Sequence, residues 1–177
     1  ISSIRQKVDH VSVTYQTKSY FGNPCGTELV PLLERLKSIG LIDELIFFEP
    51  DMSVHHKVNE LNLRNIGLEA SRRAGCTHHI SSDVDEMYFP DQLEYAKNVM
   101  DDGDYDFSVA YSENYYKDPT YLVCPSQNLK ISLIHPVRNH YDKDVSYPSF
   151  PYHMETTRRF AKYDKHILFD KEKFVIH

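Results

Sequence analysis

The sequence predicts an α/β domain with a mostly parallel central sheet and an antiparallel C-terminal part. Over the first half, apolar strand-like segments alternate with amphipathic helical segments that end at glycines, and after Gly103 short alternating strands follow. The 177 residues suffice for one hydrophobic core. We therefore expect a single domain over residues 1–177. Because the first residue is Ile1 rather than methionine, the sequence is compatible with an excised piece of a longer protein.

The first predicted strand and helix come from two different periodicities. Residues 10–15 are mostly β-branched and alternate in polarity, which is typical of a strand. A helix follows the loop that carries Gly22 and Gly26, with Thr27 as its N-cap and Gly40 as its C-terminal stop. Five residues of this segment are spaced to form one apolar helix face: Leu29, Leu32, Leu33, Leu36 and Ile39.

The next strand, helix and strand complete the predicted parallel unit. The unbroken apolar run at 45–48 predicts a strand buried on both faces of a parallel sheet. A second helix ends at Gly75 and leads into a third strand over residues 76–81. Its predicted buried face contains Leu63, Ile66, Gly67, Ala70 and Ala74. Such units bind ligands beyond the carboxyl ends of their strands.

The second half predicts a short helix and then mixed or antiparallel strands. Residues 91–100 have a helical pattern, and the acidic segment around Gly103 predicts a turn. Alternating apolar residues then predict strands around Val109 and Ile131, with a tyrosine-rich loop over residues 111–121 between them. This half therefore predicts the antiparallel part of the sheet.

Composition excludes several function classes. The net charge of −6 disfavours a nucleic-acid binder, which needs a basic surface. No apolar run approaches the roughly 20 residues that span a bilayer, so we expect no membrane span. The three cysteines, Cys25, Cys76 and Cys124, form no closely spaced pair, which favours a reducing, cytoplasmic location.

The acidic segment Asp83-Val84-Asp85-Glu86 comes directly after the third predicted strand. Side chains at i and i+2 of an extended segment point to the same side, so Asp83 and Asp85 could bind one cation. An EF-hand loop is excluded because Met87 and Tyr88 replace its required ligand and glycine. The alternative interpretation is structural, with both carboxylates capping the helix that follows.

The same region resembles the core of GT-A glycosyltransferases related to family 2. In that family an Arg-Asn-x-Gly helix leads into a strand and an Asp-x-Asp metal motif, as residues 64–67 and 83–85 do here. Residues 152–159, with His153, resemble a later histidine-plus-arginine segment of related small enzymes. The resemblance covers roughly residues 8–160 and implies a Rossmann-like, three-layer α/β/α sandwich.

The resemblance also implies residue roles. Mn²⁺ or Mg²⁺ would be bound by Asp85, by Asp83 and by His153, with Asp83 alternatively contacting the donor ribose. Arg158 is a candidate phosphate contact, although a position on a helix surface is the alternative. The nucleotide-sugar contacts implied are Gln16, Thr17, Glu49, Asp51, Arg64, Asp83 and Arg158.

The general base is left open by the sequence. An inverting transferase needs a carboxylate that accepts the proton of the acceptor hydroxyl. Glu113 in the tyrosine-rich loop, Glu155 beside His153 and Glu86 in the acidic segment are the three candidates. Solvated surface positions are the alternative for Glu113 and Glu155.

We therefore expect a metal-dependent glycosyltransferase that acts in surface polysaccharide or glycoconjugate synthesis. Its partners would be a UDP- or GDP-sugar type donor and a glycan or other hydroxyl acceptor. A nucleotidyltransferase that uses the same carboxylates and a non-catalytic sugar-binding module are the alternatives. The sequence does not predict the oligomeric state.

Overall fold

The computed structural model describes residues 1–116, 118–122, 129–141, 156–158, 160 and 165–177. These form a mixed α/β fold with small sheets of mixed orientation. The α-helices are α1 (Leu29–Ser38), α2 (His56–Arg73) and α3 (Pro90–Asp102). The strands are β1 (Ser12–Tyr15), β2 (Glu44–Phe47), β3 (His78–Ile80), β4 (Phe107–Ser112), β5 (Tyr115–Tyr116), β6 (Asp118–Leu122), β7 (Leu129–Ser132), β8 (Ile134–Pro136), β9 (His166–Leu168) and β10 (Val175–Ile176).

Both parallel and antiparallel pairing occur, as predicted. The described strands do not form the predicted parallel unit of three strands, because β3 pairs with β8 in antiparallel orientation and not with β1 or β2. Strands β1 and β2 pair in parallel. Strands β7 and β8 are separated only by Leu133; β7 is antiparallel to β4, while β8 is antiparallel to β3. On its other side β4 pairs in parallel with β9 and then with β10. The β7–β8 segment therefore connects β3 with the second half of the fold.

Helix α2 packs against both β1 and β3. A Cβ atom on Gly67 would lie 3.8 Å from Thr14 Oγ1 in β1 and 3.9 Å from His79 Cε1 in β3. Both distances are ordinary van der Waals separations, so the backbone of α2 passes close to both strands at Gly67. Because α2 contacts both strands, it determines the relative positions of the loops that follow β1 and β3.

The predicted helix stops are confirmed, but one predicted cap is wrong. Gly40 and Gly75 have φ angles of 77° and 78°, the left-handed region that favours glycine. Helix α1 begins at Leu29 after Glu28, and no side-chain hydrogen bond caps it. Thr27 instead donates to the neighbouring Glu28 side chain.

Burial differs from the predicted pattern in β2 and α2. Phe47 in β2 is 51% exposed, because among the described strands β2 pairs only with β1, so burial on both faces is wrong. In α2, Ala74 follows the helix and is exposed, while Leu63, Ile66 and Gly67 are half-buried. The residues that α2 does bury include polar ones: Asn59, Leu61, Arg64, Leu68, Ala70 and Ser71.

A polar cluster lies inside the fold where β3 pairs with β8. His79 and His135 are directly opposite each other in this pair, and their ring centroids are 5.3 Å apart. Both histidines are buried, and His79 Nδ1 lies 2.8 Å from Ser71 Oγ. Burial, together with the charges of Arg64 and Arg72, lowers the pKa of His79 to about 4.

Two further observations concern membrane-spanning helices and cysteine thiols. Within the described residues, no helix has the length and apolar character needed to cross a membrane. The thiols of Cys25 and Cys76 are free. Cys124 lies outside the described residues.

The buried histidine predicts that the protein loses stability in acid. In the unfolded chain His79 takes up a proton near pH 6.5, whereas in the folded protein it does so only near pH 4. The free energy of unfolding should therefore fall as the pH drops from 6.5 to 4, with His79 contributing about 3 kcal/mol. Urea titrations across this range measure the dependence.

The variant His79→Gln, which cannot take up a proton, should show a shallower pH dependence than the wild type. His140→Gln, at an exposed position, is the matched control and should behave like the wild type. An unchanged slope in His79→Gln would contradict the assignment of a neutral buried histidine.

Candidate functional site

The loops that follow β1, β2 and β3 meet around the first turns of α2. After β1 comes the half-buried Tyr20, and the pKa of its hydroxyl is raised by burial and by the charges of Glu60 and Asp83. After β2, the backbone of Asp51 forms two hydrogen bonds with the buried Asn59 of α2, of 2.9 and 2.8 Å. After β3 comes the acidic loop, residues 82–87. Three strand ends are thus brought to one place.

Arg64 of α2 lies on the buried side of the acidic loop. Its side chain is only 6% exposed, and its Nη2 is 3.1 Å from Asp83 Oδ1. It also donates to Ser81 at 2.8 Å and to Thr157 at 3.2 Å, and pairs with Glu60 at 3.0 Å. All three guanidinium nitrogens therefore have partners. The predicted diphosphate contact of Arg64 stays a prediction, while its observed contacts hold Asp83 in place.

Arg158 is the second arginine at the acidic loop, and it is buried rather than on a helix surface. Its Nη2 lies 2.6 Å from Asp83 Oδ2 and 2.7 Å from Glu86 Oε1. Burial lowers the pKa of Arg158, but the carboxylates of Glu86 and Asp83 raise it more, so the guanidinium stays charged. Its Nε and Nη1 atoms are buried and have no hydrogen-bond partner within the described part of the chain. The surface alternative is therefore wrong.

Glu86 supports the acidic loop from within. Its Oε2 accepts a 3.0 Å hydrogen bond from the backbone N–H of Asp83 and a 2.6 Å bond from the hydroxyl of Tyr88. Burial and the Glu86 carboxylate raise the pKa of Tyr88, so this hydroxyl remains a donor. Since Oε1 pairs with Arg158, both oxygens of Glu86 are engaged. Glu86 thus holds the acidic loop in one conformation, by binding the backbone of Asp83 at its start.

Asp85 differs from its neighbours because it faces solvent. It is exposed and has no hydrogen-bond or ion-pair partner among the described residues. Val84, Met87 and Phe89 beside it are also exposed, with relative exposures of 102%, 62% and 53%. Asp83 has an intermediate position, since its side chain is 48% exposed while both oxygens contact arginines. The loop therefore presents one free carboxylate and one that is fixed.

The charges around the acidic loop are nearly balanced. Glu60 pairs with Arg64 and with Lys57, each at 3.0 Å, and accepts from Thr157 at 2.7 Å. Burial raises the pKa of Glu60, but these hydrogen bonds and the charge of Arg64 outweigh it, so that the pKa is lowered. Among the described residues, three cations lie with four carboxylates in this region: Lys57, Arg64 and Arg158 with Glu60, Asp83, Asp85 and Glu86. A polyanionic ligand would need an additional cation here.

The other predicted nucleotide contacts lie in the loops after β1 and β2. Gln16 follows β1 directly, and its Oε1 is buried without a partner. Thr17 accepts a backbone hydrogen bond from Cys25 at 2.9 Å, which closes the loop. Glu49 forms an exposed ion pair with Lys18. These residues surround a loop whose tip carries the half-buried Tyr20.

Asp51 has a local structural role in the loop after β2. Its Oδ1 accepts from the backbone N–H and the hydroxyl of Ser53, at 2.8 and 2.6 Å. These bonds lower the pKa of Asp51. They leave Oδ2 available, so a predicted ribose contact is compatible with this turn.

Glu113 is held in a cluster beside the acidic loop. Its carboxylate pairs with Lys171 at 3.1 Å and accepts from the Tyr115 hydroxyl at 3.2 Å. Burial raises the pKa of Glu113, but these bonds lower it by a larger amount. The net pKa is therefore lowered, and the carboxylate is ionised at neutral pH. The same Tyr115 hydroxyl lies 2.9 Å from His177 Nδ1.

His177 is a residue that the sequence reasoning missed. Its backbone exchanges two hydrogen bonds with Met87 of the acidic loop, of 2.5 and 3.0 Å. The ring contacts Phe89 with centroids 4.8 Å apart, and its buried Nε2 has no hydrogen-bond partner in the ranges that the structure describes. An apolar run at 174–176 that ends in a histidine could have indicated it, by analogy with the strand before Asp83. His153 and Glu155 lie outside the described residues.

The acidic loop provides an incomplete set of metal ligands. Among the described residues, no three His, Cys, Asp or Glu side chains are grouped to hold a metal ion. Val84 and Asp85 form a turn that a 3.2 Å hydrogen bond from the Glu86 N–H to the Asp83 carbonyl closes, so the predicted extended segment is wrong. Asp85 is nevertheless a carboxylate without a partner among the described residues, and Asp83, two residues before it, retains exposed surface. Mg²⁺ commonly binds through one or two carboxylates, with phosphate oxygens and water completing its coordination. The residues present fit such a shared site and not a closed protein cage.

We expect the burial of Arg158 to make it far more important for stability than an exposed arginine. Arg158→Met would leave Asp83 and Glu86 without their shared partner, and should reduce the free energy of unfolding by about 3–5 kcal/mol. Arg73→Met is the matched control, since Arg73 forms a 2.7 Å ion pair with Glu44 at the surface. Its loss should cost about 1 kcal/mol or less. Equal losses in urea titrations would contradict the buried pairing.

Comparison of the chain with protein-family models, with curated proteins and with solved structures finds no match. The roles of the residues around the acidic loop are therefore argued from their geometry and charge.

Proposed function

We propose that this chain is a metal-dependent glycosyltransferase with a GT-A-like α/β/α arrangement. It transfers a sugar from a nucleoside diphosphate donor to a hydroxyl group of a glycan or another acceptor. One observation carries the proposal: in the loop beyond the end of β3, two buried arginines fix Asp83, and the exposed carboxylate of Asp85 follows two residues later, in the turn that a 3.2 Å hydrogen bond from the Glu86 N–H to the Asp83 carbonyl closes. A loop with no functional role would not need two buried arginines to hold one of its carboxylates in place.

The strand arrangement supports this proposal. Open α/β sheets bind ligands in the crevice outside the carboxyl ends of their strands. Here the loops after β1 and β3 approach each other closely enough for Asp83 to affect the pKa of Tyr20. The loop after β2 is hydrogen-bonded to the same helix α2. A nucleotide could therefore contact all three loops at once, with Gln16, Thr17, Glu49 and Asp51 near its base and ribose.

The charge balance supports a bound divalent cation. A nucleoside diphosphate would add negative charge to a site that already has four carboxylates and three cations. Mn²⁺ or Mg²⁺ bound by Asp85, and shared with Asp83, would neutralise this excess and stabilise the charge that develops on the leaving diphosphate. The chain's own contribution is to fix the direction of Asp83 through Arg64 and Arg158.

The geometry narrows the candidates for the general base. Glu86 uses both carboxylate oxygens inside the acidic loop, so a role in supporting the loop fits it better. Glu113 is ionised and lies in the cluster with Tyr115 and His177, next to Met87. We keep Glu113 and Glu155 as the proposed bases. Acceptors from surface polysaccharide or glycoconjugate synthesis and a cytoplasmic location remain part of the proposal.

The most direct test is the binding of a nucleoside diphosphate. Isothermal titration with UDP and GDP should show binding in the presence of Mn²⁺ and none in the presence of a chelator. A sugar-binding module would ignore both nucleotides with or without metal. A nucleotidyltransferase would bind a nucleoside triphosphate and release pyrophosphate, whereas a glycosyltransferase does not release pyrophosphate.

Asp85→Ala should abolish the metal-dependent binding while the fold remains intact, because Asp85 has no partner to lose. Asp102→Ala removes an exposed carboxylate elsewhere and serves as the matched control. Thermal unfolding of both variants should match the wild type. Wild-type nucleotide affinity in Asp85→Ala would contradict the metal site.

The histidine of the site can be identified by Mn²⁺ titration of two variants. The resemblance implies His153, whereas the described structure places His177 next to the acidic loop. We expect His177→Ala to weaken Mn²⁺ binding about tenfold or more, since its oriented ring offers an unpaired Nε2.

In the same titration, the effect of His153→Ala shows whether the implied ligand also contributes. His140→Ala, at an exposed position, is the control and should not differ from the wild type. Unchanged Mn²⁺ affinity in both His177→Ala and His153→Ala would remove histidine from the site.

A further inference from the structure

A cluster of three polar side chains lies where strands β4 and β10 end beside each other. The two strands pair in parallel, so their carboxyl ends lie at the same edge of the sheet. Glu113 follows β4 and His177 follows β10, and the backbone N–H of Glu113 donates a 2.8 Å hydrogen bond to the carbonyl of Ile176. The third member is Tyr115 of β5. The pairing of β4 with β10 therefore brings together Tyr115 and His177, which are 62 residues apart in the sequence.

The hydroxyl of Tyr115 lies between a carboxylate and an imidazole ring. It is 3.2 Å from Glu113 Oε2 and 2.9 Å from His177 Nδ1. Glu113 is ionised, and its Oε1 pairs with Lys171 at 3.1 Å. His177 Nδ1 is 3.8 Å from Glu113 Oε2, which is too far for a direct hydrogen bond. The Tyr115 hydroxyl is therefore the link between Glu113 and His177.

The single proton of this hydroxyl fixes the direction of both hydrogen bonds. An ionised carboxylate only accepts hydrogen bonds, so the proton of Tyr115 lies toward Glu113. If it lay toward His177, the phenol and carboxylate oxygens would face each other at 3.2 Å with no proton between them. The Tyr115 oxygen must then accept from His177 Nδ1, which carries a proton. In the neutral ring, Nε2 is consequently the nitrogen with the free lone pair.

The ring of His177 is held in one orientation beside the acidic loop. Its backbone exchanges hydrogen bonds of 2.5 and 3.0 Å with Met87. The ring centroid is 4.8 Å from that of Phe89 and 6.0 Å from that of Tyr115. No described group forms a hydrogen bond with its buried Nε2. A buried acceptor without a partner is unfavourable, and a bound cation or donor would satisfy it.

We infer that Glu113 and Tyr115 are positioning residues that hold His177 in the Nδ1–H form, so that the Nε2 lone pair is available beside the acidic loop. A metal-binding histidine typically donates its other ring N–H to a carboxylate, a carbonyl or water, and this bond fixes the tautomer. Here the carboxylate acts through a phenol. The use of the lone pair for Mn²⁺ or Mg²⁺ rests on the proposed function, whereas the tautomer of His177 does not.

This role also distinguishes the two proposed bases. Both carboxylate oxygens of Glu113 are engaged, Oε1 by Lys171 and Oε2 by Tyr115. Glu113 thus resembles Glu86, which uses both of its oxygens inside the acidic loop. With Glu113 in a positioning role, Glu155 is the remaining candidate for the general base.

The tautomer of His177 in the metal-free wild-type protein is the first test. A long-range ¹H–¹⁵N correlation spectrum distinguishes the two neutral forms of the ring. At mildly alkaline pH we expect His177 to be protonated at Nδ1, although free histidine favours the Nε2–H form. Protonation at Nε2 would overturn the inference. This measurement needs no variant and no ligand.

The second test removes each positioning residue in turn. Tyr115→Phe deletes the hydrogen bond to Nδ1, and Glu113→Ala frees the proton of Tyr115 to turn toward Nδ1. Both variants should therefore shift His177 toward the Nε2–H form. Tyr95→Phe, at a half-buried position, and Glu172→Ala, at an exposed one, are the matched controls and should keep the Nδ1–H form. An unshifted tautomer in either folded variant would overturn the role of the residue replaced.

Mn²⁺ titration then separates this inference from the proposed function. If the wild type binds Mn²⁺ in the presence of UDP or GDP, Tyr115→Phe should bind it about tenfold more weakly. In the His177→Ala background, Tyr115→Phe should have no further effect, because it acts only through the ring. If the wild type binds no Mn²⁺, the proposed function fails, and the tautomer spectra still decide the inference. Wild-type Mn²⁺ affinity in Tyr115→Phe, or an equal loss in both backgrounds, would overturn the positioning role.

Discussion

The pairing of Asp83 with two buried arginines is the interaction on which the rest of the site depends. Arg64 and Arg158 have side-chain exposures of 6% and 2%, and a buried guanidinium requires a carboxylate partner. Asp83 pairs with both arginines, Glu60 is a second carboxylate partner of Arg64, and Glu86 is a second carboxylate partner of Arg158. The arginines neutralise Asp83 from the buried side, and Asp85 is left free on the exposed side. This division of roles between two adjacent carboxylates is what makes the loop a candidate binding site.

The same pairing ties distant parts of the chain together. Arg64 belongs to α2 and Arg158 to a short 3₁₀ helix at Thr156–Arg158, while Asp83 follows β3. Strand β8 of the β7–β8 segment pairs with β3, the strand that precedes Asp83. The position of Asp83, and of a ligand bound to it, would therefore depend on α2, on β3 and on the 3₁₀ helix. Such long-range support is costly in a structural loop and is typical of functional sites.

The parts of this structure that could be predicted from sequence are those that depend on local chemistry. Gly40 and Gly75 end their helices because their left-handed backbone favours glycine, and the strand before Asp83 was predicted from its place directly after the helix that Gly75 ends. The buried face of α2 could not be predicted, because Arg64 is buried by partners such as Thr157, 93 residues away. A helix surface stood as the alternative for Arg158, a candidate phosphate contact, because its buried partners Asp83 and Glu86 are likewise distant in the sequence. His177 was missed because only the fold brings it to Met87.

The central claim is that a divalent cation and a nucleoside diphosphate bind together at the acidic loop. Paramagnetic broadening of backbone resonances by Mn²⁺ tests it directly, because the effect decreases steeply with distance from the ion. With UDP or GDP present, the account predicts broadening centred on Asp83, Val84 and Asp85, and none around the exposed carboxylates at 101–104. Broadening at 101–104 alone, or no nucleotide-dependent broadening at the acidic loop, would contradict it.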